Sequence, residues 1–168
     1  MSSDFGKDEW YVDSGCSFHL TANENWIKNM SSELTTTEIV VANKEKLPVK
    51  CCGNVMITTF TKKCEYDVEV ENVLCVPSLT TNLLSVSELI KNGNTVKFTK
   101  VGCNIYNKIG ELVATACLIN GVYKLNVTEV FGAAAMVSGE TWHRRLGHCN
   151  SNYLNKMQDA VEGLTLDK

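Results

Sequence analysis

The stretch Trp10-Tyr11-Val12-Asp13-Ser14-Gly15-Cys16-Ser17-Phe18-His19 gathers a carboxylate, a thiol, an imidazole and several hydroxyls. Its apolar lead-in, Trp10 to Val12, delivers Asp13 into a Ser-Gly turn, as a strand can when it seats an acid at its end. Gly15 lets the backbone turn without a Cβ clash, and Ser14 sets a hydroxyl beside the carboxylate. A carboxylate so placed can take a proton from water as a general base. Taken alone, Asp-Ser-Gly is also an ordinary surface-turn triplet. Cys16 is the competing nucleophile, but a thiol hydrolase needs a positioned His or Asn partner, and the sequence identifies none.

The elements that must hold Asp13 read as short β-type runs. Ile39-Val40-Val41-Ala42 and Leu47-Pro48-Val49-Lys50 flank the polar tetrapeptide Asn43-Lys44-Glu45-Lys46, which suits a hairpin turn. Asn54 to Phe60 and Tyr66 to Val70 follow, the latter with clear period-two alternation, and then Val73 to Pro77. In Asn82 to Ile90, apolar residues at Leu83, Val86, Leu89 and Ile90 have the spacing of a short amphipathic helix, stopped by Lys91-Asn92-Gly93-Asn94. Val96 to Phe98, a hairpin over Val101 to Leu118 and the run Val122 to Leu125 complete a compact region. The resulting division is a polar leader (1–9), a β domain (10–126), a linker of mostly small residues (127–140) and a terminal region (141–168).

The 168 residues suffice for one domain with a real core, and an apolar content of 44% argues against disorder. A net charge of −3 gives no electrostatic reason for avid nucleic-acid binding; Lys62-Lys63 and Arg144-Arg145 read as solvated surface. The eight cysteines are scattered without a disulfide or zinc spacing, so free thiols in a reducing cytoplasm are expected. No apolar run approaches the roughly 20 residues of a membrane span.

Three segments carry a family resemblance. Trp10 to Thr21, with its Asp13-Ser14-Gly15-Cys16-Ser17 core and His19-Leu20-Thr21 tail, resembles the active-site segment of retropepsin-like aspartic proteases of copia-type retrotransposon polyproteins. Asn82-Leu83-Leu84-Ser85 before a short helix is similar to their second signature, with Ser85 where retropepsins carry glycine, which requires a negative φ there. Trp142-His143-Arg144-Arg145-Leu146-Gly147-His148 resembles the start of the pre-integrase region that follows such proteases.

The resemblance implies a mainly β, closed retropepsin-like barrel with one short helix and a partial helical C-terminal appendage. It further implies an aspartic endopeptidase that processes its own polyprotein. Only one Asp-Ser-Gly is present, so the second carboxylate must come from another copy, in a homodimer where each Asp13 contributes half of a dyad. Ser14, Gly15 and Ser85 support the turn, and Asn43, Lys44, Glu45 and Lys46 are the candidate flap tip. No cofactor is expected. In the full polyprotein His143 and His148 would be half of a zinc site, but a tetrahedral site needs four ligands, so no metal is expected in this stretch. Nucleic acid would be met only through neighbouring regions, and the expected location is cytoplasmic, including virus-like particles. Two other readings are a catalytically faded, domesticated dimerisation or peptide-binding module, and an integrase-type nucleic-acid-binding module.

Overall fold

The computed structural model of the protein describes residues 6–62 and 64–132. The chain opens with β1 (Trp10–Asp13), β2 (His19–Thr21), a 3-10 turn (Glu24–Trp26), β3 (Glu38–Val40) and β4 (Lys46–Pro48). Two long strands follow, β5 (Cys51–Phe60) and β6 (Glu65–Cys75), and then β7 (Asn82–Ser85) leads directly into the helix α1 (Val86–Lys91). The rest is β8 (Thr95–Phe98), β9 (Gly102–Tyr106), β10 (Leu112–Ile119), β11 (Val122–Leu125) and β12 (Val127–Phe131). The architecture is mainly β with one short α-helix, as the sequence predicts.

Ten strands form one sheet in the order β12-β5-β6-β2-β7-β1-β11-β10-β9-β8, and β3 and β4 pair separately. The sheet is not closed, which corrects the expected barrel: β12 and β8 are edges, each paired on one side only. Closure would need those two strands to meet in register. Instead the accumulated twist curls the sheet until β5 faces β10. There the Thr59 hydroxyl donates to the Val113 carbonyl at 2.5 Å and the Thr115 hydroxyl to the Phe60 carbonyl at 3.2 Å. The main core fills the concavity with Trp10, Val12, Ile57, Val73, Leu84 and Leu125. Burying each of these side chains stabilises the fold by about 1.5–3 kcal/mol.

Local patterns are overridden in two places. Asn82 to Ser85, which the apolar spacing over Asn82 to Ile90 includes in a helix but the resemblance sets before it, is strand β7, because Leu83 and Leu84 pair in parallel register with Tyr11 and Val12. The helix starts only at Val86, with Ser85 as its N-cap at φ −70°. Val127 to Phe131, expected as the start of a linker, pairs antiparallel with β5 as β12. The remainder of that linker, the terminal region with His143 and His148, and the expected helical appendage lie outside the described residues.

The expected hairpin over 38–48 is present. Ile39 faces Leu47 across it, and Lys44 at its tip takes φ 68°. Gly53, the glycine nearest that hairpin in sequence, belongs to β5, where a Cβ would come within 2.4 Å of the Lys28 carbonyl oxygen. Cys16, Cys51, Cys52, Cys75, Cys103 and Cys117 are free thiols; Cys64 is not among them. Among the described residues no helix is long and apolar enough to cross a membrane.

Candidate active site

Asp13 ends β1, a central strand held on both sides. Tyr11 and Val12 pair antiparallel with Lys124 and Tyr123, while Asp13 itself registers with Ser85 in the parallel pairing to β7. Trp10 and Val12 point into the core, so the strand is anchored up to the residue before the acid. Trp10 also stacks on Trp26, with ring centroids 6.3 Å apart.

Beyond Asp13 the chain emerges. The acid is half-buried, whereas Ser14, Gly15, Ser17 and Phe18 are exposed. Asp13 Oδ1 accepts the Gly15 backbone N–H at 2.7 Å, a local turn closed by the acid's own side chain. A Cβ on Gly15 would stand 3.3 Å from that oxygen, so glycine serves close approach here, not a left-handed backbone. The Cys16 thiol donates to the Phe18 carbonyl at 2.9 Å, and burial pushes its pKa up, assisted by the nearby Asp13 charge. It is therefore kept as a thiol and poorly suited to attack.

Ser85 reaches the turn from below. Its hydroxyl donates to the Cys16 carbonyl at 2.6 Å and accepts the Glu88 N–H at 3.3 Å, so one side chain both caps α1 and holds the acid turn. Its negative φ satisfies the condition for a serine at that position. Ser87 adds a second tie, its hydroxyl lying 2.9 Å from that of Ser85 and 3.4 Å from the Cys16 carbonyl.

Three further residues support the turn. Asn82 is fully buried; its Oδ1 accepts from the Thr21 hydroxyl at 2.7 Å and the Ala22 N–H at 3.2 Å. Its Nδ2 donates to the Lys7 and Glu9 carbonyls, both at 2.9 Å. Glu9, expected in a loose leader, bonds the Lys124 ammonium and the Tyr11 hydroxyl, which hold its carboxyl below the usual range. Burial, then Glu9, pushes Tyr11 up to about 12. His19 is the third, with its Nδ1 accepting the Ser85 N–H at 3.0 Å. Asn82 and His19 lie in two of the segments that carry the family resemblance, whereas Glu9 falls in the polar leader.

The candidate flap is coupled to this region through a second apolar cluster. Ile39 is buried there with Leu20, Leu74 and Val76, and Leu47 and Cys16 pack against it. Of the other acids, Asp67 lies on β6 and accepts from the Thr58 hydroxyl at 2.6 Å. Among the described residues no group of three or more His, Cys, Asp or Glu side chains could hold a metal ion.

An acid turn at the end of a buried strand, in a curled β sheet with one short helix, falls within a recognisable family. Residues 10–94, just over half of the chain, match the model described as "Pol polyprotein, beta-barrel domain", and the chain belongs to that family. It is similar to the retrovirus-related Pol polyprotein from transposon RE1 of Arabidopsis thaliana, 24% identical over 169 residues, and to that from transposon RE2 of the same plant, 23% identical over 168. Each alignment covers 94% of this chain but 11% of the relative, so the chain spans about a tenth of their length. No solved structure matches.

Proposed function

We propose that the chain is the aspartic endopeptidase of a copia-type retrotransposon polyprotein, active as a homodimer in which two Asp13 carboxylates form one site. The observation that carries this reading is the placement of Asp13: fixed to its last buried neighbour, then released into an exposed turn that a second copy can cover. Two carboxyls about 3 Å apart cannot both ionise cheaply, so they share one proton, the behaviour for which aspartic proteases are the standard example. The ionised member takes a proton from water as its oxygen attacks the scissile carbonyl, and the protonated member donates to the carbonyl oxygen. Collapse of the tetrahedral intermediate expels the amine, which carries away a proton from the dyad. The apparent pKa values belong to the pair. The polypeptide substrate, the homodimer and the cytoplasmic or particle location all belong to this reading.

The flap in this reading is the hairpin tipped by Asn43 to Lys46, closing over bound peptide. His143 and His148 would belong to the pre-integrase region, as two of four zinc ligands, with the others supplied by longer polyprotein.

The test measures cleavage of a decapeptide library, read by mass spectrometry, alongside sedimentation on the same preparation. Asp13→Asn should lower turnover by about 10³-fold or more while keeping the thermal transition. Rate should rise faster than linearly with enzyme at low concentration, because only the dimer holds a complete site. Undiminished cleavage by Asp13→Ala, or strict proportionality from a sedimenting monomer, would refute the shared dyad.

A further inference from the structure

His19 is 1% exposed and Ser85 fully buried, and they lie 66 residues apart in sequence, yet they share a bond from a backbone N–H to an imidazole nitrogen. Ser85 stands opposite Asp13 in the parallel pairing, and its hydroxyl holds the carbonyl of Cys16, one residue past Gly15. His19 itself belongs to β2, which pairs with β6 and β7. A single chain of bonds thus runs from the imidazole, through the backbone and then the side chain of Ser85, to the acid turn.

We propose that His19 is a positioning residue for Asp13: a neutral imidazole whose Nδ1 fixes the Ser85 backbone so that the Ser85 hydroxyl sets the acid turn. The inference rests on the reading of Asp13 as a catalytic acid. Accepting at Nδ1 places the single ring proton on Nε2 and forbids the cationic form, in which both nitrogens donate. Burial favours that neutral form, pulling the pKa of His19 down to about 4, while the Glu88 carboxylate on α1 pulls the other way. His19 also lines a cavity of about 210 Å³, whose other charged lining groups are Glu69 and Glu71 on β6 and Lys108 of the β9–β10 turn. A tight setting matters because a shift of about 1 Å at a reacting group costs about 10²-fold in rate.

The experiment compares His19→Asn, His19→Gln and Ser85→Ala with the parent on peptides cleaved from the decapeptide library. It also looks for the NMR coupling between the Ser85 amide nitrogen and His19 Nδ1 in ¹⁵N-labelled parent protein. An Asn oxygen falls where Nδ1 stands, whereas a Gln oxygen falls nearer Nε2. His19→Asn should therefore keep kcat within about 3-fold of the parent, and His19→Gln should lose about 10²-fold with KM held. Ser85→Ala should lose kcat while keeping the coupling, and it decides the matter if His19→Gln does not fold. An active parent without the coupling, or parental kcat in His19→Gln or Ser85→Ala, overturns this proposal alone. A parent that cleaves no peptide overturns the catalytic reading and takes this one with it.

Discussion

The acid turn and the hairpin over 38–48 lie in one molecule but are held by different means. The turn is fixed by bonds from residues far away in sequence, with His19, Thr21, Asn82 and Ser85 all buried and bonded in two pairs, Thr21 to Asn82 and Ser85 to His19. The hairpin keeps its bonds to itself: Val41 N–H to Glu45, Lys44 N–H to Val41 and Val49 N–H to Thr37. Only Ile39 of β3 is buried, Val40 is 65% exposed, and β3 and β4 pair with no other strand. A buried polar network resists displacement because every broken bond leaves an unsatisfied group, whereas an arm seated on a small apolar patch can lift at low cost. The proposed protease needs both properties, a fixed acid and a cover that opens for peptide.

The contrast would be broken most directly at Asn82. Replacing it by the similarly sized Leu removes the acceptor of the Thr21 hydroxyl and the Ala22 N–H and the side-chain donor to the Lys7 carbonyl, while the Glu9 carbonyl keeps the backbone N–H of residue 82 and the Thr81 hydroxyl. Urea unfolding should show a loss of about 3 kcal/mol or more. A loss below about 1 kcal/mol would mean that the turn is no better anchored than the hairpin.

Acid should loosen the same region first. His19 sits near 4 in the fold against an ordinary 6.5, so the unfolded chain binds more protons between those values. Its contribution is complete above pH 6.5 and fades as the pH falls towards 4, by up to about 3 kcal/mol. Unfolding free energies of parent and His19→Asn should therefore converge with falling pH across that window.

The smallest effect belongs to the hairpin. Lys46 pairs with Glu38 across it, with side chains 65% and 50% exposed. Lys46→Ala should cost no more than about 0.5 kcal/mol by thermal denaturation. A larger loss would show the hairpin to be more than a lightly held arm.

What was legible in the sequence was local. The apolar run into Asp13, the alternation in β6 and the polar tip at Asn43 to Lys46 each encode their element within a few residues. What was hidden depends on partners far along the chain. Leu83 has helical spacing relative to Val86 and Ile90, yet its pairing with Tyr11 makes it strand, since tertiary pairing outweighs local propensity. Ser85 was legible as a support of the turn through the resemblance, but the same distance concealed its bond to His19, because nothing near either residue in sequence announces the other. The open edge at β12 was missed because the small residues that follow Phe131 mask a strand of only five residues.

The seating of β1 between β7 and β11 also sets a timetable during synthesis. Asp13 leaves the ribosome early, but its flanking strands end at Ser85 and Leu125, more than a hundred residues later for the second. At about 5–20 residues per second, the acid waits roughly 5 to 20 seconds for its bed to be completed. If Asp13 is the catalytic acid proposed above, a nascent chain could not cut itself until this whole stretch had been translated.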